Sequence, residues 1–372
     1  MVTLAHLARP LTALRASDRP AVGGKAASLA ELTAAGLPVP AGFAITTAAY
    51  CQAVSPLDPD GALGGEIERL DPADAAGIAA ISGWVREAIL ATPLPADVRE
   101  AISACYRALV GEDPGGAPVA VRSSATSEDT ESASFAGLQD TFLWVRGEDA
   151  VDEYVRRCWA SLYNVESITY RRHQGVPEQG LAMGVVVQVM VDPRCAGVLF
   201  TRSPVTGDTS VVVIEASWGL GSALVSGDVT PDSYVVSKVT GEIVKRTVTA
   251  KLRQHQRDPA GGGVCVADVP KKLRDVPCLA DAEILALADL GRRVAEHYGA
   301  PQDVEWAITG TGPAGAGTGA RAEAGQRVIL LQSRPETVWS HRPAAPVAAP
   351  KTRAFDHVLE RLQVPRTPGT TR

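Results

Sequence analysis

Residues 119–141, VAVRSSATSEDTESASFAGLQDT, run from an apolar strand through one arginine into a loop of small, hydroxyl-bearing and acidic residues. Arg122 falls where that strand is expected to end, and its guanidinium is a planar fork of donors suited to phosphate oxygens. The loop behind it offers backbone N–H groups at Ser123, Ser134, Ala136 and Gly137 that would wrap a polyphosphate. Ser/Thr/Gly-rich connections are also ordinary solvated surface loops. The phosphate reading therefore depends on what the rest of the chain supplies.

The 372 residues are enough for roughly two domains. Hydrophobic residues make up 45% and charged residues 21%, the balance of a soluble globular enzyme, and the formal net charge of −6 argues against nucleic acid as the main partner. Six cysteines are scattered without a C-x-x-C pair, which fits reduced, buried thiols and offers no metal-ligand spacing. Arginines and prolines interrupt the N-terminal apolar residues before a signal sequence can form, and the longest apolar runs are strand-length, too short to span a membrane. A cytoplasmic protein is expected.

Helical patterns are expected over residues 25–36, where Gly36 stops an Ala/Leu-rich run, and over 72–90, 95–110 and 147–172. From Met183 the texture changes to strands. Residues 184–191 and 196–201 read as two strands joined by a turn, 211–215 as a third, and 234–248 as a hairpin. A helix over 281–298 follows, with Asp281 as its N-cap and Gly299 as its stop. Two last strands, 303–308 and 328–333, flank a Gly/Ala/Thr segment whose composition predicts an unstructured connection. The resulting division is a lobe over 1–182 carrying the phosphate loop, a lobe over 183–340 carrying the last strand pair, and a tail over 341–372.

Strand alternation points Asp303 and Glu305 one way and Val304 and Trp306 the other, and it likewise puts Gln332 and Arg334 on one face. If the strands pair, two carboxylates, an amide and a guanidinium converge on one surface. Hard oxygen donors suit magnesium, which binds through one or two carboxylates plus substrate phosphates. Glu305 and Gln332 are the candidate metal ligands, with Arg334 to neutralise phosphoryl charge. In isolation the same pair also reads as a solvated strand face with a surface salt bridge. Lys25 stands behind Gly23 and Gly24 at an expected helix start, where free N–H groups favour anions. It is not a Walker A lysine, because Ala26 follows it and the upstream glycine is missing.

Six ordered segments together resemble one family: VGGKAASLAELTAAGLPVPAGFAIT (22–46), VRSSATSEDTESASFAGLQDT (121–141), QVMVDPRCAGVLFT (188–201), EASWGLGSALVSGDVTPDSY (215–234), QDVEWAI (302–308) and LLQSRPETV (330–338). They are similar to the ATP-grasp nucleotide-binding domain of phosphoenolpyruvate synthase, pyruvate phosphate dikinase and rifamycin phosphotransferase. The resemblance spans about residues 20–338 and implies an α+β, two-lobed fold with the nucleotide cleft between the lobes. It implies ATP and Mg2+ as cofactors. It assigns Lys25 and Arg122 to the ATP phosphates, Gly137 and Thr141 to the lid loop over them, and Gln188 and Met190 to the inter-lobe connection lining the adenine pocket. Glu305 and Gln332 match the magnesium ligands, and Asp303 and Arg334 match residues beside the transferring phosphoryl group. Two positions depart from the pattern: Ser222 stands where the family usually has Glu, and Leu138 where Gln is common.

Full-length relatives carry the phosphoryl group on a histidine of a swivelling domain. No matching segment occurs here: only His341 follows a serine, and its surroundings, VWSHRPAAP, lack the glycine run. The tail carries six Lys/Arg against two acids, and Phe355, Val358, Leu359 and Leu362 form a one-sided apolar stripe before Pro365. That stripe is expected to pack on the body or to dock a separate protein. The expected function is the nucleotide half of a split dikinase-like system, which cleaves ATP to AMP and phosphate and passes the β-phosphoryl group to a histidine on a separate phosphocarrier or acceptor-binding protein. A direct ATP-dependent kinase of a small molecule and a non-catalytic nucleotide-binding module are the alternatives. Neither nucleic acid nor membrane is expected as a partner.

Overall fold

The computed structural model describes residues 4–111, 116–126, 140–310 and 328–339. In chain order these form β1 (Ala8–Pro10), α1 (Arg19–Ala34), β2 (Gly42–Ile45), α2 (Thr47–Val54), α3 (Ala62–Arg69), α4 (Ala75–Ala91) and α5 (Ala96–Val110). β3 (Val119–Ala125), β4 (Thr141–Val145), α6 (Glu148–Ser161), α7 (Val165–Gln174), β5 (Met183–Val189) and β6 (Cys195–Phe200) follow. The last elements are β7 (Val211–Trp218), α8 (Ser222–Val225), β8 (Asp232–Ser237), β9 (Ile243–Thr247), β10 (Arg253–Arg257), β11 (Val264–Asp268), α9 (Asp281–Tyr298), β12 (Gln302–Ile308) and β13 (Val328–Pro335). Met1–Glu336 forms one unit and Thr337–Arg372 another, of which only residues 337–339 are described. The apolar stripe at 355–362, His341, and the segment 311–327 lie outside the described residues.

The fold is α+β, as expected, with two main antiparallel sheets. The first has the order β1-β2-β5-β3-β4 and the second β13-β12-β6-β7-β8-β9, while β10 and β11 pair separately. β5 was expected to open the second lobe, but it lies at the centre of the first sheet, between β2 and β3. The boundary at residue 182 is corrected accordingly. Residues 184–191 and 196–201 do not form a hairpin either, because the link between β5 and β6 carries the chain from one sheet to the other. β5 reads as an unbroken apolar run because both its faces are covered. Val185 and Val187 join Phe43, Ile45, Val119 and Val121 in a core with Ile102, Val155 and Trp159. On the opposite face Val186 and Ala44 pack with Val22, Ala26 and Leu29 of α1.

The second sheet buries one face against α9. Val212, Ile214, Leu199, Val304, Trp306 and Leu330 point into a core with Ile284, Leu287 and Val294. α9 begins one residue after its N-cap, which is Ala280 rather than Asp281; Glu283 accepts from the Ala280 N–H at 2.8 Å. Gly299 ends it in the left-handed conformation, as its position predicts. The helix expected over 147–172 is broken after Ser161. The buried Arg171 guanidinium donates to the Leu162 carbonyl at 2.7 Å and pairs with Glu178, so the polar groups exposed at the break are satisfied internally. The hairpin expected over 234–248 is β8–β9, paired antiparallel.

Among the described residues no helix is long and apolar enough to cross a membrane. All six cysteines are free thiols, but only Cys158, Cys195 and Cys278 are buried. Burial pushes the Cys195 thiol up to about 12.

Candidate active site

β3 does not end at Arg122 but continues through Ser123, Ser124 and Ala125, each paired with β5. Along it Val119 and Val121 face the helical core, so alternation turns Ala120, Arg122 and Ser124 toward α1. The ladder puts Gln188 opposite Ala120 and Thr141 opposite Arg122, so Gln188, Arg122 and Thr141 belong to the same face of the first sheet. The Ser123 N–H was expected to bind phosphate; it donates instead to the Asp140 carbonyl. Ser134, Ala136, Gly137 and Leu138 lie outside the described residues.

α1 is two helical segments joined at Gly23, whose φ of 80° interrupts the spiral. A β-carbon there would sit 1.8 Å from the Ser124 carbonyl oxygen, so the close approach of α1 to β3 requires glycine. Ser124 fastens the break: its hydroxyl donates to the Val22 carbonyl at 2.8 Å and accepts from the Ala26 N–H at 3.0 Å. Lys25 thus starts the second segment, as its glycines suggested. It is 6% exposed, and its ammonium donates to the Ser123 carbonyl at 2.8 Å.

β12 and β13 pair antiparallel with Asp303 opposite Arg334 and Glu305 opposite Gln332. The convergence expected from alternation is therefore a direct cross-strand match. The register slips after Glu305: Trp306 pairs with Leu330, and Leu331 is left out of the ladder. This bulge frees the Leu331 carbonyl, which accepts from Arg122 Nη1 at 2.6 Å. Arg122 Nη2 donates to Gln332 Oε1 at 2.8 Å and to Glu305 Oε2 at 3.2 Å. One guanidinium from the first sheet, 9% exposed, thereby grips three acceptors of the second.

On the next rung Arg334 Nε lies 3.4 Å from Asp303 Oδ2. Burial pushes the Asp303 carboxyl up to about 6, with the Arg334 charge opposing that rise and Glu336 adding to it. α1 is tied to β13 directly, since the Ser28 hydroxyl donates to the Ser333 carbonyl at 2.8 Å. Lys25, Arg122, Asp303, Glu305, Gln332 and Arg334 are thus brought to one junction. Gln188 is not in direct hydrogen-bond contact with them: it is 2% exposed, and its amide donates to the Pro40 carbonyl. Met190 is half-buried just beyond β5, its N–H donating to the Pro118 carbonyl, on the link between the sheets. Thr141 is exposed at the start of β4 rather than inside a loop.

Sequence reasoning missed Ser124, Ser28 and the Leu331 carbonyl. The doubled serine after Arg122 and the doubled leucine before Gln332 were the available signals, but neither names its partner. Ser222 is engaged as well, its hydroxyl 3.0 Å from His255 Nδ1, while His255 Nε2 is 3.2 Å from Asp228.

The donor set fits a hard cation. Glu305 and Gln332 present oxygens from facing positions on adjacent strands, and the Glu305 side chain is about one-third exposed. Among the described residues no group of three or more His, Cys, Asp and Glu side chains could hold a metal ion. A cation at Glu305 and Gln332 would therefore complete its shell with phosphate and water oxygens, the usual condition of magnesium.

The family described as pyruvate phosphate dikinase, AMP/ATP-binding domain, matches residues 19–354. A probable phosphoenolpyruvate synthase of Methanothermobacter thermautotrophicus is 43% identical over 318 residues, which cover 85% of this chain and 44% of that protein. A rifampicin phosphotransferase of Streptomyces is 42% identical over 292 residues, 78% of this chain and 33% of the relative. The prodigiosin synthesizing transferase PigC of Serratia marcescens is 41% identical over 316 residues, 85% and 31% respectively. The chain thus spans less than half the length of these relatives. The two-sheet α+β architecture and the match over residues 19–354 together lead to one conclusion: this chain belongs to the pyruvate phosphate dikinase AMP/ATP-binding domain family, with the ATP-grasp fold.

Proposed function

We propose that this protein is an ATP-dependent phosphotransferase of the dikinase type, with ATP and Mg2+ bound where the two sheets meet. The observation that carries this reading is the Arg122 guanidinium joined to Glu305, Gln332 and the Leu331 carbonyl. Lys25, Arg122 and Arg334 set three cations against the carboxylates of Asp303 and Glu305, a balance suited to a polyphosphate bearing a divalent ion. Glu305 and Gln332 would hold the magnesium ion, which would supply charge neutralisation on the phosphate oxygens. Lys25 and Arg122 orient the phosphates, and Asp303 fixes the direction of Arg334 beside the group being transferred. Gln188 and Met190 line the adenine pocket at the link between the sheets, and Thr141 lies beside the phosphates on the sheet face it shares with Arg122. Phosphoryl transfer depends mainly on such positioning and charge, with little covalent chemistry from the protein.

In this reading the β-phosphoryl group passes to a histidine on a phosphocarrier domain or partner protein with AMP leaving, and water takes the γ-phosphoryl group as phosphate. The test follows ATP labelled on the β-phosphate, with cell extract supplying the acceptor and Glu305→Gln protein as the control. Label in an acid-labile phosphohistidine, together with AMP, supports the proposal. Label retained in ADP, with no label on the acceptor, indicates a direct kinase of a small molecule instead, and ATP binding without turnover indicates a regulatory module.

A further inference from the structure

Trp144 is the one non-glycine residue with a positive φ among the described residues, at 64°. It stands in β4, whose pairing with β3 slips: Val121 pairs with Phe142 and Val119 with Val145, so Leu143 and Trp144 together oppose Ala120. A bulky side chain in the left-handed region is strained, and such strain persists only where the surroundings hold it. Part of that hold comes from the separate β10–β11 hairpin, which lays the Arg257 guanidinium over the Trp144 ring, 5.3 Å from its centroid. Trp144 is buried, and its Nε1 has no hydrogen-bond partner among the described residues.

Beside this contact lies a cavity of about 620 Å³, a size that takes a small molecule. Its walls come from the open edge of β4, from Ala150 and Tyr154 of α6, and from the hairpin tip at 259–263. Arg146 and Arg257 both line it, and no acidic residue does. Arg146 donates to the Gly116 carbonyl at 3.1 Å, and among the described residues neither guanidinium makes an ion pair. A guanidinium lying over an indole keeps its in-plane N–H fork open, and a carboxylate fits that fork with two parallel bonds. The Trp144 and Tyr154 rings, with Val145 and Ala150, offer flat apolar surface. Two cations without a carboxylate, set beside aromatic walls, define the ligand as an anion with a flat apolar body.

We propose that this cavity binds a small organic carboxylate with a flat apolar body, its carboxylate held by Arg257 and Arg146 and its ring set against Trp144 and Tyr154. None of Lys25, Arg122, Gln188, Met190, Glu305 and Gln332 lines it, so the site is separate from the nucleotide cleft. A ligand here bridges β4 and the hairpin, and so braces the strained bulge.

The test titrates 2-naphthoate into wild type, Arg257→Gln and Trp144→Gly by calorimetry, without nucleotide. Glycine suits the positive φ, so the second variant removes the ring while relieving the strain. Wild type is expected to bind 2-naphthoate saturably, and each variant is expected to lose about tenfold or more in affinity. Inorganic phosphate has the charge without the ring, and 2-naphthalenemethanol the ring without the charge. Each is expected to bind wild type at least about tenfold more weakly than 2-naphthoate. Should Trp144→Gly fail to fold, Arg257→Gln decides alone, since Arg257 is exposed. No saturable binding to wild type, unchanged affinity in either folded variant, or a control compound that binds as tightly as 2-naphthoate overturns the proposal. So does competitive displacement of 2-naphthoate by ATP with magnesium, which would assign the cavity to the nucleotide cleft. Because the first titration contains no nucleotide, its outcome stands whatever becomes of the ATP reading.

Discussion

Arg122 and Leu331 are 209 residues apart in sequence, yet Arg122 Nη1 donates to the Leu331 carbonyl at 2.6 Å. A bulge takes Leu331 out of the β12–β13 pairing register, and its carbonyl accepts from Arg122 of the other sheet. This bond ties the two main sheets together at the point where the acidic and amide oxygens of Glu305 and Gln332 converge. The same guanidinium is thus a structural tie and, in the proposed function, the charge offered to the phosphates.

Arg122→Lys keeps the charge but loses the fork that reaches three acceptors. Stability should fall by about 1–3 kcal/mol, because three partly buried acceptors lose their shared donor. ATP affinity should fall at least about tenfold. Urea unfolding and calorimetry read the two effects separately, and an unaltered variant would mean that the three contacts carry no weight.

Gly23→Ala places a methyl 1.8 Å from the Ser124 carbonyl oxygen at a positive φ. Backbone has to move on one side or the other, so a loss of about 3 kcal/mol or more is expected. Gly36→Ala is the control, since its φ is also positive, at 69°, but nothing lies within 4 Å of the added carbon. That variant should lose only about 1 kcal/mol. Equal melting temperatures for the two variants would contradict the close approach of α1 to β3.

Burial pushes the Asp152 carboxyl from its ordinary 3.8 up to about 6, although Arg99 lies 3.0 Å away and opposes the shift. Because the folded protein holds this proton more tightly than the unfolded chain, the Asp152 contribution to stability declines as pH rises from about 4 to 6 and then levels off. Asp152→Asn should flatten that part of the stability profile. Thermal melts of both proteins between pH 4 and 7 provide the check, and identical slopes would contradict it.

Much of the second sheet was legible in the sequence. Asp303, Glu305, Gln332 and Arg334 alternate with apolar residues, and alternation is a local property. α9 and the β8–β9 hairpin carried local signals too, in Gly299 and in Thr240-Gly241. The first sheet was less legible because its pairings are distant: β5 bonds to strands some 60 and 140 residues earlier, and an apolar run buried on both faces does not say which sheet it joins. Arg122 looked like a strand end because Ser123 and Ser124 have loop-like side chains, whereas both are buried by α1 and β5. β10 and β11 went unread since RQHQR and VCVAD have little apolar alternation and much of their surface is exposed.

The most direct test is a titration of ATP into the protein with and without magnesium, comparing wild type with Glu305→Gln. Glu305 and Gln332 face each other across the ladder under the Arg122 guanidinium. Wild type should bind ATP at least about tenfold more tightly when magnesium is present, and Glu305→Gln should lose that gain. Magnesium-dependent affinity that survives unchanged in Glu305→Gln would contradict a metal-bound triphosphate at the junction of the two sheets.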